Sequence, residues 1–156
     1  MPAVPDIDLE IRRVPAQRVA TLTRHAPGFG SQQIGPVVGP MFPEAAALLG
    51  DVPTGPAVAL YRSEETGDGV VVTAGFEVGD DVGPVPGLEL HVLPELERAA
   101  VAEHHGAMDV IDRSWEALAA ALRALAGPAR EVYLTPPDRP QEEWVTRLIQ
   151  PVARPR

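Results

Sequence analysis

"GPAREVY", residues 127–133, is the stretch that decides the fold, because "GPAVALY", residues 55–61, carries the same frame earlier in the chain. Both open on Gly-Pro-Ala and close on Tyr, with strand-forming residues between. Working outward from this pair, "VPAQRVATLTRHAP" (14–27) lies over "LPELERAAVAEHHG" (93–106) without gaps. The overlay matches Pro15 with Pro94, Ala20 with Ala99, Leu22 with Val101 and His25 with His104. Downstream, "VVTAGFEV" (71–78) lies over "WVTRLIQP" (144–151), sharing Val-Thr. Three matches in one order define an internal repeat.

Each copy reads as strand, helix, strand, strand. The first strand alternates with period two: Val19, Thr21 and Thr23 against Ala20, Leu22 and Arg24. In the second copy Met108, Ile111, Trp115, Leu118, Leu122 and Leu125 step by three and four, one apolar helical stripe. Asp109 is placed at its N-cap or first turn, and Gly127-Pro128 at its end. In the first copy Ile34, Val38, Met41, Ala45 and Leu48 keep the spacing, but Pro36, Pro40 and Pro43 interrupt it. An interior proline costs ~3 kcal/mol, so a kinked or split helix is expected there. Strands 57–62 with 70–78, and 129–134 with 144–151, close the copies. The expected fold is α+β: two β-α-β-β repeats, about 8–80 and 87–153, forming one domain over 1–156. Neither copy buries its apolar face alone. The two therefore pack about a pseudo-twofold axis, as antiparallel sheets with helices and a central ligand cleft.

Composition narrows the function. A chain of 156 residues with 45% hydrophobic content supports one core. It has no cysteine, hence no disulfide framework and no thiolate metal site. No apolar run has transmembrane length, and "MPAVPDIDLEIRR" lacks the form of a signal peptide, so a cytoplasmic location and no membrane partner are expected. A formal charge of −9 makes nucleic acid a poor partner. All 13 basic residues are arginine, which removes Schiff-base and phosphate-loop lysines.

One residue stands out against this scaffold. Glu131 sits inside an apolar strand, while its counterpart in the first copy is Ala59. On a strand Glu131 and Tyr133 share one face, and Arg130, Val132 and Leu134 the other. If the Val132 face packs on the helices, Glu131 looks into the groove. Pairing Tyr133 with Val145 would set Glu131 opposite Arg147 as an ordinary surface ion pair. A shift by one would pair Tyr133 with Trp144 and Glu131 with Thr146, an acid among aromatics. Both registers stay open. Tyr133 and Trp144 are wall candidates or sheet packing, and Tyr61 mirrors Tyr133. Met41 and Phe42 lie in the proline-broken segment, at a lid or pocket edge. Trp115 and Phe76 read as core, His25 and His104 as turn-stabilising residues. "EHHG" (103–106) does not make a metal site, because adjacent strand residues point apart and no helical i, i+4 His pair exists. No G-x-S-x-G or glycine-rich phosphate loop is present, and no cofactor is implied.

Strand and turn "LPELERAAVAEHHG", a helix ending in Gly, "GPAREVYLTPPD" and "WVTRLIQPV" together resemble the GyrI-like small-molecule-binding domain over roughly residues 8–153. Glu131-x-Tyr133 is the most specific piece. This domain also serves as the effector-binding part of AraC-type and MerR-type activators, multidrug sensors among them. The resemblance implies a cleft for bulky, often aromatic and cationic molecules, with an acid matching Glu131 at its base and Tyr133, Trp144, Tyr61, Thr146, Phe42 and Met41 around the ligand. With only a short tail before residue 8, a stand-alone sensor or sequestering domain without its own DNA-binding helices is expected. Some relatives hydrolyse reactive electrophiles, and one inhibits gyrase. A second reading is therefore a cofactor-free hydrolase of electrophilic xenobiotics using Glu131 and Tyr133, and a third a protein-interaction module such as a gyrase inhibitor. The proline-rich first helix and the low aromatic content, 4%, depart from the pattern of the drug sensors.

Overall fold

The computed structural model describes residues 8–64, 67, 69–122 and 126–153. Among these, eight strands form one antiparallel sheet: β1 (Leu9–Val14), β2 (Gln17–Ala26), β3 (Thr54–Ser63), β4 (Val70–Val78), β5 (Glu89–Leu93), β6 (Leu96–His105), β7 (Ala129–Tyr133) and β8 (Val145–Pro151). Helix α1 (Ser31–Leu49) joins β2 to β3, and helix α2 (Ile111–Ala120) joins β6 to β7. The fold is α+β, as expected, but with one sheet. Each β-α-β-β segment is also preceded by a further strand, β1 or β5, that the alternation in 14–27 and 93–106 did not reveal.

The strand order is β1-β6-β8-β7-β3-β4-β2-β5. It forces the sheet to roll. Strands β1 and β2 are six positions apart, about 29 Å in a flat sheet. Yet only Pro15 and Ala16 join them, a reach of about 11 Å from Val14 to Gln17. The link between β5 and β6 imposes the same limit. Both corners therefore cross behind the central strands. Val14, Val19, Val58, Leu93, Ala99, Val101, Val132 and Ile149 bury this rear face without a helix. Arg130 is buried there too; its guanidinium donates to the Pro94 carbonyl at 3.0 Å and to Gln17 at 3.4 Å, one residue from each corner.

The helices cover the front. Helix α1 packs Ile34, Val38 and Met41 on Val70, Val72 and Ala74 of β4. Helix α2 packs Ile111 and Leu118 on Ala100 and Ala102 of β6 and Leu148 of β8. The central pair β3–β7 is left between them. Register fixes what that strip displays. Tyr133 pairs with Thr146, and Glu131 with Leu148 on one side and Ala59 on the other. Neither expected register occurs. Arg147 faces Val132 on the rear and is no partner of Glu131, and Trp144 precedes β8. The condition that the Val132 face pack on the helices does not hold: Val132 lies on the rear, and Glu131 shares the helix-covered face with Leu148, where the gap between the helices leaves the groove.

Helix α1 is continuous, correcting the expected kink or split. Pro36, Pro40 and Pro43 all lie on its exposed side. The carbonyls they cannot bond, of residues 32, 36 and 39, also belong to exposed residues, where water substitutes. Gly35 and Gly39 precede two of these prolines and have no Cβ to clash with the ring. The buried stripe ends on Leu49, with Leu48 exposed, because a 3.6-residue period after Ala45 falls between the two. Helix α2 is shorter than its apolar stripe suggested. Ala126 N–H already bonds the Pro151 carbonyl beside β8, so the chain has to leave the helix earlier to reach the sheet. Leu122 still packs on the core, and Leu125 lies outside the described residues.

Candidate functional site

Between α1 and α2, above β3 and β7, lies a cleft of about 1680 Å³. Its floor is Glu131, which is 4% exposed. Three neutral donors converge on the carboxylate. The Tyr133 hydroxyl donates to Oε1 at 2.6 Å and the Tyr61 hydroxyl to the same oxygen at 3.1 Å. The Trp115 indole donates to Oε2 at 2.6 Å. The two tyrosine oxygens are 3.2 Å apart. None of the ion pairs among the described residues includes Glu131. Burial pushes its pKa up, against the opposing pull of the hydrogen bonds from Tyr133, Trp115 and Tyr61 and, last, of the nearby His104. Burial, and then the Glu131 charge, hold both tyrosine hydroxyls well above their ordinary range.

Each element contributes by its geometry. Strand β7 presents Glu131 and Tyr133 two residues apart on one face, and β3 presents Tyr61 beside them. From α1, Phe42 stacks edge-on against Tyr133, with ring centroids 5.2 Å apart at 76°. It meets Phe76 of β4 in the same manner at 6.3 Å. Gly35 and Gly39 also line the cleft, and a Cβ on either would meet open space. One end of the cleft is tied: Ser31 N–H at the start of α1 donates to Asp112 of α2 at 3.0 Å.

The structure brings Glu131, Tyr133, Tyr61, Thr146 and Phe42 together at the lining. Trp144 also lines the cleft, from the β7–β8 connection, where its indole donates to the Arg139 carbonyl at 2.8 Å. Met41 does not; it is fully buried under α1, because it belongs to the helix stripe that seals the core. Two residues read as core, Trp115 and Phe76, do pack against core clusters and also line the cleft. Trp115 had a usable signal, since a buried indole N–H needs an acceptor, and Glu131 is the acid set within an apolar strand. His25 and His104 part company. His25 is exposed beside Glu64, whereas His104 is buried and bonds Ser114 and the Ala107 carbonyl. No group of three or more metal-ligating side chains converges among the described residues. No helix among them is long and apolar enough to cross a membrane.

A rolled sheet with two helices framing an acid-floored aromatic cleft is the architecture of a small-molecule-binding domain. Residues 8–153 match the GyrI-like small molecule binding domain, and the chain belongs to that family. Among solved structures, the EcmrR C-terminal domain superposes with a TM-score of 0.73 at 18% identity, covering 94% of this chain and 98% of that one. SAV2435 bound to tetraphenylphosphonium gives 0.67 at 15% identity, with 94% of each chain covered. A hydrolase from Listeria innocua gives 0.59 at 16%, covering 96% of this chain and 93% of that one. At these identities the likeness is one of fold. None of the curated proteins matches the sequence.

Proposed function

We propose that the cleft binds bulky aromatic cations, with Glu131 as the charge partner, and that the chain acts as a sensor or sequestering protein. The observation that carries this reading is a buried carboxylate held by three neutral donors, with no ion-pair partner among the described residues. A carboxylate in a low-dielectric floor attracts a cation more strongly than one in water. The aromatic rings of Tyr133, Phe42, Trp115 and Trp144 add cation–π attraction of ~0.5–2 kcal/mol each, and Tyr61 and Thr146 complete the wall. Tetraphenylphosphonium on SAV2435 has this ligand chemistry. A pseudo-twofold relation between the two β-α-β-β segments supports the same view. The strand order sets β3 beside β7 at the centre, and Ala59 opposite Glu131 leaves Glu131 as the acid of the strand floor, with Asp112 and Glu116 on the α2 wall. Titration of wild type and Glu131→Gln with a rhodamine dye tests the reading. Equal affinity in the two proteins would remove Glu131 from the site.

A second reading follows from the 2.6 Å bond between Tyr133 and Glu131. In it, Glu131 takes a proton from a water attacking a carbon of a strained ring, the ring carbon–heteroatom bond breaks, the released heteroatom takes a proton in turn, and Tyr133 holds the acid in place. The likeness to the Listeria innocua hydrolase agrees with it. Assays against strained-ring and ester substrates distinguish turnover from binding: dye binding without any product rules out this reading.

A further inference from the structure

His104 does not line the cleft, yet the geometry points to it as the positioning residue for the cleft's α2 wall. This rests on the binding reading above. His104 is 4% exposed, on β6 opposite Thr146. Its Nε2 lies 2.9 Å from the Ala107 carbonyl and its Nδ1 2.7 Å from Ser114 Oγ. A carbonyl only accepts, so Nε2 carries the proton, and in the neutral ring Nδ1 accepts from the Ser114 hydroxyl. One buried side chain thus clamps the turn that enters α2 and a residue within α2.

Helix α2 needs such a clamp. It has ten residues, marginal in isolation, and neither it nor the 3-10 turn Met108–Val110 before it has a side-chain N-cap bond. Ser114 and Trp115 are adjacent and therefore about 100° apart around the helix. Ser114 faces away from the cleft and Trp115 faces into it, 2.6 Å from Glu131. Fixing Ser114 fixes the helix rotation, and so the direction of the indole N–H. The first half of the chain lacks the device. His25, which aligns with His104 in the repeat, is exposed at Glu64, and α1 is held by a longer apolar stripe. The clamp occurs on the side that carries Trp115 and Glu131.

The test uses Ser114→Ala, which deletes one hydroxyl, with His104→Ala and the double variant beside it. The Trp115 indole N–H is followed by NMR hydrogen exchange in the ligand-free protein, its resonance assigned with Trp115→Phe, and tetraphenylphosphonium affinity is measured by calorimetry. Loss of one net hydrogen bond corresponds to about fivefold. We expect indole exchange protection and affinity each to fall by about that factor in Ser114→Ala, with no further loss from adding His104→Ala beyond that of His104→Ala alone. Unchanged protection in Ser114→Ala would overturn the proposal, and so would reduced protection with unchanged affinity. If the wild type binds no tetraphenylphosphonium while Ser114→Ala still frees the indole, the cation-binding reading fails and the positioning role stands.

Discussion

The indole N–H of Trp115 meets Glu131 Oε2 at 2.6 Å, joining α2 to β7 across the cleft floor. It is a charge-assisted bond in a buried setting, the kind worth about 1.5–3 kcal/mol. Trp115→Phe keeps an aromatic ring but deletes the donor. Without it the folded-state pKa of Glu131 rises further above its ordinary value. The stability loss is therefore present above the folded pKa and shrinks as pH falls through it, because a protonated carboxyl depends less on the donor. Urea unfolding should show a loss of about 1.5–3 kcal/mol at pH 8 and a clearly smaller one at pH 4. Equal losses at both would mean that the indole bond does not serve the charge.

How legible was this site before the structure? Glu131 was conspicuous because the repeat sets it against Ala59. The topology of the two segments followed from strand alternation and turn residues. The register did not, because Val, Thr, Leu and Ile are interchangeable partners across β7 and β8, and pairing Glu131 with Leu148 has no local signature. Trp115 was hidden by its own helix stripe: Ile111, Trp115 and Leu118 have core spacing, and only the open strip between the helices leaves Ile111 and Trp115 at the cleft. The rear core was illegible for a topological reason. It depends on β1 and β5 crossing to the far halves of the sheet, which no local pattern encodes.

On the proposed binding reading, proton and cation compete for Glu131. Its pKa is raised, chiefly by burial, so the carboxylate begins to protonate at a higher pH than an exposed glutamate. Affinity for a permanent cation such as tetraphenylphosphonium should be highest above that pKa and fall as pH drops through it. Glu131→Gln should be weak and nearly flat across the same range. Calorimetric titrations from pH 8 to pH 4 check this, and a neutral triaryl ligand should show little pH dependence in either protein.

The three prolines of α1 are tolerated because they face water, which gives Pro40→Ala a definite sign. The substitution restores an N–H to the helix and allows a bond to the residue 36 carbonyl. An interior proline costs ~3 kcal/mol, while proline's restriction of the unfolded chain offsets ~0.4–1 kcal/mol. A net gain of about 2 kcal/mol in chemical unfolding is expected. Pro40 is not among the lining residues, so ligand affinity should hold.

Arg130 presents the opposite case, a charge buried without a carboxylate. Its guanidinium meets only the Pro94 carbonyl and Gln17, and its Nε has no partner among the described residues. Burial holds its pKa below the ordinary arginine value, the mark of an uncompensated desolvation cost. The side chain still fills the space where both corners cross, beside the apolar rear face. Charge and volume therefore pull in opposite directions, and two variants separate them. Arg130→Met keeps the length and removes the charge. Exchanging a buried charge for an apolar side chain of similar size is often neutral or stabilising by 1–4 kcal/mol, and losing the bond to Pro94 takes back about 1 kcal/mol, so a gain of about 1 kcal/mol is expected. Arg130→Ala removes the charge and leaves a cavity, and should destabilise by about 2 kcal/mol or more. Unfolding curves with Met above wild type and Ala below it would show that Arg130 holds the rear face by its volume. The reverse order would show that its hydrogen bonds to the corners outweigh its desolvation.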